Sequence, residues 1–262
     1  DGVWVLGTPR RLAVVVSRLA PRQADVTRQV VGPPAAAAFD ADGRPTKVAE
    51  GFARSAGVAP ADLEIVERGG ERRVAAQKRE IGRSASEVLV EAVPALLAGL
   101  PVGRAMRWNE SGQAFSRPVR WLVAVHPEAV VPVAFAGLVA GRTTRGPRGR
   151  GSPVLKIAAA EDYRKVMRTH GVEIDPARRR DAVWRQVTDL AQKAGGRIPE
   201  DAALLGEVAN LVETPYALLG SFEEAYLDLP APVLVTVLRK HQRCFPVEGP
   251  DGRLLPSFVA VA

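Results

Sequence analysis

Apolar and polar positions alternate in short blocks along the chain, and the blocks change period. Val3 to Leu6 and Leu12 to Val16 read as strands. Gly32-Pro33-Pro34 breaks the second from a loop that contains Asp40-Ala-Asp-Gly43. Thr46 to Ala56 has helical spacing, with Val48, Phe52 and Ala56 on one face and Gly57 as its stop. Leu63 to Glu67 and Arg72 to Gln77 flank Gly69-Gly70, a hairpin signal. Ser84-x-x-Glu87 is a capping box opening a helix through Val88, Leu89, Val93, Leu96 and Leu97, which Gly99 to Gly103 ends.

Trp121 to Val125, Val130 to Ala136 and the run from Leu138 predict strands, and Gly141 to Ser152 predicts a loop of glycine, proline and arginine. Helices are expected at Glu161 to His170, Asp175 to Ala194 and about Asp201 to Val212. The clearest is the middle one. Asp175 is its N-cap, Pro176 opens its first turn, Gly195-Gly196 stops it, and Val183, Val187, Leu190 and Ala194 form its apolar stripe. A final strand follows the Gly249-Pro-Asp-Gly252 turn, from Leu254 to Ala262. The pattern predicts an α+β protein with mixed or antiparallel sheets. It divides into a domain over residues 1–100 and another over 101–262 that carries a helical insertion at about 160–213.

Composition adds a globular balance, 47% hydrophobic and 25% charged. No apolar run approaches the length of a membrane helix. The chain opens and closes in strand-like segments, which suggests a fragment of a longer protein. Its only cysteine, Cys244, leaves no partner for an intrachain disulfide and fits a cytoplasmic location. The net charge of +7 is localised. Residues 101–150 carry 8 Lys and Arg against 2 Asp and Glu, while 1–100 carry 14 against 12 and 151–262 carry 14 against 15. A concentrated patch suits a polyanionic partner, although an arginine-rich, alanine-rich composition also follows from a GC-rich genome.

Two basic runs are candidate sites. Arg142, Arg145, Arg148 and Arg150 lie in ten residues without an acid, as a phosphate-backbone contact would. A mobile surface loop would look the same. Arg239, Lys240, His241 and Gln242 follow the apolar Pro232 to Leu238, which is expected to bury itself and leave the polar run at an element's end. Trp108, Phe115 and Trp121 are interleaved with Arg104, Arg107, Arg117 and Arg120, which permits base stacking or simple core packing. No P-loop or dinucleotide fingerprint is present. The three histidines lack the close pairing of a zinc site. Cys244 reads as a buried structural thiol rather than a nucleophile.

Several segments together resemble the β subunit of the bacterial heterotetrameric glycyl-tRNA synthetase. They are Thr8-Pro9-Arg10-Arg11-Leu12-Ala13-Val14; Gly32-Pro33-Pro34 through Phe39-Asp40, Pro45-Thr46-Lys47 and Gly51-Phe52-Ala53-Arg54; Met106-Arg107-Trp108 with Phe115-x-Arg117-Pro118-x-Arg120-Trp121; Leu211-Val212-Glu213 to Phe222; and Arg239-Lys240-His241-Gln242 through Phe245-Pro246. Their order and spacing agree over nearly the whole chain. The resemblance implies a segment from the N-terminal half of β, lacking the first part of the family's N-terminal region. The family's HD-type and anticodon-binding domains would lie beyond Ala262. It also implies similarity to the B3/B4 region of the phenylalanyl-tRNA synthetase β chain.

The expected role is non-catalytic tRNA binding and subunit assembly, with tRNA(Gly) and the α subunit as partners. ATP would be used by α, with no cofactor in this chain and no glycylation by the segment alone. Arg10 and Arg11 join the two basic runs as RNA-binding candidates. A hydrolytic editing-like module, marked by a confined pocket and a positioned base near His241, and a purely structural scaffold are the alternatives. Three positions depart from the family pattern: Pro147 and its neighbours replace a histidine and an aromatic, Asn109 replaces a glycine, and Cys244 replaces a tyrosine.

Overall fold

The computed structural model describes residues 2–262. They form two compact units, Leu19–Ala92 and a second that joins residues 2–18 to Val93–Ala262. The grouping follows spatial packing rather than a cut near residue 100.

Strands β1 (Val3–Thr8) and β2 (Arg11–Val16) make an antiparallel hairpin, with Val5 opposite Val14 and Leu6 opposite Ala13. Side chains alternate across a strand, so the hairpin has two faces. One turns Leu6, Ala13 and Val15 onto Leu155, Met167, Val172 and Ile174. The other carries Val3, Val5, Leu12, Val14 and Val16, all exposed.

In the unit Leu19–Ala92, β3 (Val26–Pro34), β4 (Glu64–Arg68) and β5 (Glu71–Glu80) form an antiparallel sheet with β5 in the middle. Gly32-Pro33-Pro34 is thus the end of a strand rather than a break. Helix α1 (Lys47–Ala56) starts at Thr46, whose hydroxyl accepts from Val48 N, and stops at Gly57, which has φ 74°. Its buried residues are Ala49, Ala53 and Ala56, and Phe52 packs beside them. Val48 is exposed, so the inward face is rotated by one position from the one the apolar spacing predicts. A Cβ on Gly32 would lie 2.6 Å from the Phe52 ring. Helix α2 (Ala85–Ala98) opens on the expected reciprocal cap, Ser84 N donating to Glu87 Oε2 and Glu87 N to Ser84 Oγ. It continues through Pro94.

Beyond α2 the strands are short. Trp121 to Val125 is not the continuous strand its composition suggests; Val123 makes a single bridge to Gly141, and Val125–His126 pairs with Ala129–Val130. The 141–152 segment is more ordered than a loop. It holds β6 (Thr143–Arg145), paired with β7 (Val154–Lys156), and a 3-10 turn at Arg148–Arg150. Helices α3 (Asp162–Thr169), α4 (Pro176–Lys193) and α5 (Ala202–Ala209) follow. Asp175 caps α4 by accepting from Ala177 N and Arg178 N. The main core forms where Val183, Val187 and Ala191 of α4 meet Leu204 and Val208 of α5 and a three-stranded antiparallel sheet. That sheet is β8 (Ala217–Ser221), β9 (Phe245–Glu248) and β10 (Leu254–Val261), with β10 central.

Helix α6 (Ala231–Thr236) runs into a π-helical turn at Val237–His241. Only Leu238 of this apolar stretch is buried, while Val233 and Val237 face solvent. Self-burial of the stretch is therefore corrected: a six-residue helix followed by a widened turn rotates successive valines away from one stripe. Among the described residues no helix is long and apolar enough to cross a membrane.

Candidate functional site

The basic segment 141–150 is fixed from below by a buried arginine. Arg11 donates from Nη2 to the carbonyls of Arg145 and Gly146, at 2.6 and 3.2 Å. Its Nη1 meets Glu213 Oε1 at 2.5 Å, with side-chain exposures of 4% and 11% for the pair. Thr8 Oγ1 donates to the same carboxylate oxygen, and the Trp121 ring lies 5.7 Å from the guanidinium. A buried charge needs a counter-ion and hydrogen bonds on its remaining donors. Glu213, two carbonyls and the ring supply most of this, although Arg11 Nε has no partner among the described residues. Residues from three of the distinctive sequence segments, Thr8 and Arg11, Trp121 and Glu213, thus meet in one place.

The candidate arginines therefore divide. Arg11 is an internal brace and is not presented to a ligand. Arg142 is half-buried and donates to the carbonyls of Ala158 and Glu128, which makes it a second brace. Arg10, Arg145, Arg148 and Arg150 are exposed, and their side chains form no ion pair among the described residues. Arg145 is on β6 and Arg148 and Arg150 on the following 3-10 turn, so the three project from a backbone held by Arg11. Pro147 lies between them, where a histidine of the family pattern would stand.

The second run sits on the π-helical turn. Arg239 is ion-paired with Asp201, the N-cap of α5. Arg243, at φ 56°, donates to Glu207 Oε1 on the same helix at 2.6 Å. Both arginines line a cleft of about 460 Å³ together with Lys240, Asp201 and Glu207. Lys240, His241 and Gln242 are exposed and their side chains make no hydrogen bond among the described residues. His241 is not part of the cleft wall. Cys244 is buried beside this turn, and burial pushes its thiol up from the usual value. The interleaved aromatics face inward: Phe115 packs edge-on to Phe135 at 6.3 Å and Trp121 lies against Arg11. Arg104, Arg117 and Arg120 are exposed around them.

Sequence pattern alone does not single out Arg179. It is 1% exposed, donating to the carbonyls of Ala209, Gly7 and Glu173. Burial lowers its pKa, which Glu173, Glu213 and Asp175 oppose. The available signal is phase, because Arg179 precedes Val183 by four residues on the stripe of α4.

Across residues 1–262 the chain matches the family described as glycyl-tRNA synthetase beta subunit. It is 47% identical over 259 residues to the glycine–tRNA ligase beta subunit of Desulforamulus reducens, covering 99% of this chain and 37% of that protein. It is 46% identical over 255 residues to the corresponding protein of Desulforudis audaxviator, covering 97% and 37%. A glycine–tRNA ligase of Arabidopsis thaliana named chloroplastic/mitochondrial 2 is 42% identical over 260 residues, covering 99% of this chain and 24% of the plant protein. The chain spans about 37% of the length of the bacterial relatives.

Proposed function

Because this chain belongs to the glycyl-tRNA synthetase beta subunit family, we propose that it is the non-catalytic tRNA-binding and assembly segment of a glycine–tRNA ligase β subunit. It would act in the cytoplasm beside an α subunit that uses ATP to activate glycine. Similarity of residues 101–262 to the B3/B4 region of the phenylalanyl enzyme's β chain belongs to the same proposal. One observation carries the RNA reading: Arg145, Arg148 and Arg150 are exposed and unpaired on a backbone that Arg11 holds by two carbonyls. Cations presented from a fixed backbone lose less conformational freedom on binding, and phosphates are what unpaired arginine forks hold best.

The test is a salt series of tRNA binding by the full-length β subunit with Arg145, Arg148 and Arg150 replaced by alanine. Each phosphate contact removed lowers the log–log salt slope by about 0.7–0.9. An unchanged slope and affinity would remove the loop from the RNA surface. Arg142 is left intact because its bonds are to the protein's own carbonyls.

Assembly is assigned to the other basic run. Val233 and Val237 are exposed near Lys240, His241 and Gln242, and an apolar patch with a polar rim is the composition of a protein interface. Val237→Asp is expected to weaken association with the α subunit while leaving the tRNA salt slope unchanged. Equal loss of both would contradict this division of labour.

A further inference from the structure

We propose that Arg164, Arg168 and Arg178 form an oxyanion site that holds one phosphate group, separate from the loop arginines. Arg164 is on α3, and its guanidinium lies over the Trp4 ring at 4.6 Å. The indole covers one face of the cation and fixes its plane. Nε and Nη2 of Arg164 are buried and have no hydrogen-bond partner among the described residues. These two nitrogens share one edge of the guanidinium, the edge that makes paired parallel bonds to a planar or tetrahedral oxyanion. Buried charged donors are costly to leave unmade, so this edge calls for an acceptor.

The acceptor has a place. A cavity of about 70 Å³ is bounded by Arg164, Arg168, Arg178, Glu173 and Asp175 over an apolar floor of Leu6 and Ile174. That volume suits one tetrahedral oxyanion, or two waters at about 30 Å³ each, and is too small for a nucleoside. The carboxylates in the wall have other work. Asp175 Oδ1 accepts from the N–H groups of Ala177 and Arg178, and Glu173 Oε1 accepts from Asp175 N. None of the three arginines is ion-paired among the described residues, which leaves three cations facing two anions. Arg168 and Arg178 are exposed and give the cavity a cationic mouth. A phosphate would place two oxygens on the Arg164 edge and leave others for these two side chains.

Inorganic phosphate is the probe. Thermal unfolding of the full-length protein is followed against phosphate concentration, with chloride at matched ionic strength as the control. Saturable stabilisation by phosphate alone is expected. Arg164→Lys keeps the charge and removes the paired edge, so phosphate affinity should fall at least tenfold. Arg178→Ala, at an exposed position, should fold normally and also bind phosphate more weakly. Glu173→Gln removes a neighbouring negative charge and should tighten phosphate binding. The site is refuted if the wild type shows no saturable response, or if Arg164→Lys and Arg178→Ala bind phosphate like the wild type. It is also refuted if Glu173→Gln destabilises the phosphate-free protein without tightening phosphate, because Glu173 would then be the internal partner of the Arg164 edge. A competition arm identifies the source. Displacement of bound phosphate by tRNA assigns the site to a backbone phosphodiester, and retention assigns it to the free ion; both uphold the oxyanion site. The phosphate arm does not depend on the loop reading above, so the two can fail separately.

Discussion

Arg11 and Glu213 set what single residues can be expected to do here. The pair is buried, shares its carboxylate with Thr8 and reaches the Arg145 and Gly146 carbonyls. Removing one partner of a buried pair strands the other charge, at about 3–5 kcal/mol. Glu213→Gln should therefore cost about 3 kcal/mol in chemical unfolding, the low end because Arg11 keeps its carbonyls. It should also speed tryptic cleavage at Arg148 and Arg150 by loosening their backbone. A surface pair such as Arg197–Glu248, with Arg197 largely exposed, should cost under about 1 kcal/mol when broken. Cys244 gives a second test. Burial raises its thiol pKa, so the neutral thiol is favoured in the folded state. That contribution is complete below the unfolded thiol's pKa and is lost as pH rises through the raised folded value. Native protein at about pH 8 should react with a thiol reagent far more slowly than protein in denaturant; equal rates would place the thiol at the surface. The exposed half of the candidate site was legible in sequence, since Arg145, Arg148 and Arg150 stand in an acid-free run. Arg11 was not, because adjacent Arg10 and Arg11 look alike until alternation in the hairpin turns one out and the other in. The Arg164 edge was beyond reach, since a missing partner is a property of packing.

At the scale of elements, caps and stops were the most readable features. Thr46, Gly57, the Ser84–Glu87 box, Asp175 and Asp201 do in the structure what their spacing predicts. These are local bonds, set by residues within four positions. Ser84→Ala should destabilise α2 by about 1 kcal/mol, read as earlier hydrogen exchange in its first turn. The same box titrates. Ser84 holds the Glu87 carboxyl below its ordinary range, Arg83 does so for Glu91, and the Gly82 amide and Arg79 do so for Asp25. A depressed carboxyl adds stability above the unfolded pKa and loses it as pH falls through the folded value. Helix signal from α2 and exchange protection around Asp25 should therefore decline together below about pH 4; constant protection there would mean that these bonds carry no stability. Strands beyond residue 120 were harder to read. Trp121 to Val125 has the composition of a strand but makes one isolated bridge, because pairing needs a partner at the right distance and composition does not supply one. The buried face of α1 moved from Val48 to Ala49 for a related reason. Close helix–sheet approach around Val74 and Phe52 favours alanine over a larger aliphatic.

At the scale of the whole molecule, apolar surface matters as much as charge. The outer face of the β1–β2 hairpin presents Val3 at 60%, Val5 at 66% and Leu12 at 56% exposure, with Val14 and Val16 beside them. Five branched or aliphatic side chains on one open sheet face are an association hazard. The isolated 262-residue chain should show concentration-dependent self-association in sedimentation, reduced by a Val5→Thr, Val14→Thr pair that keeps β-propensity. A strictly monomeric wild type would mean that the face is covered within the chain. The partition of the molecule could not be read from order along the chain, since residues 2–18 pack with a unit that resumes only at Val93. That interruption imposes a schedule. Arg11 and Glu213 are 202 positions apart, and at roughly 5–20 residues per second a ribosome takes on the order of 10–40 s to join them. During that interval Leu19–Ala92 has all the strands of its sheet, while the first hairpin waits with neither face packed and its arginine without a counter-ion. A message truncated before codon 213 therefore yields a chain whose opening strands never find their core, a ready target for chaperones and proteases even though every residue of the hairpin has been made.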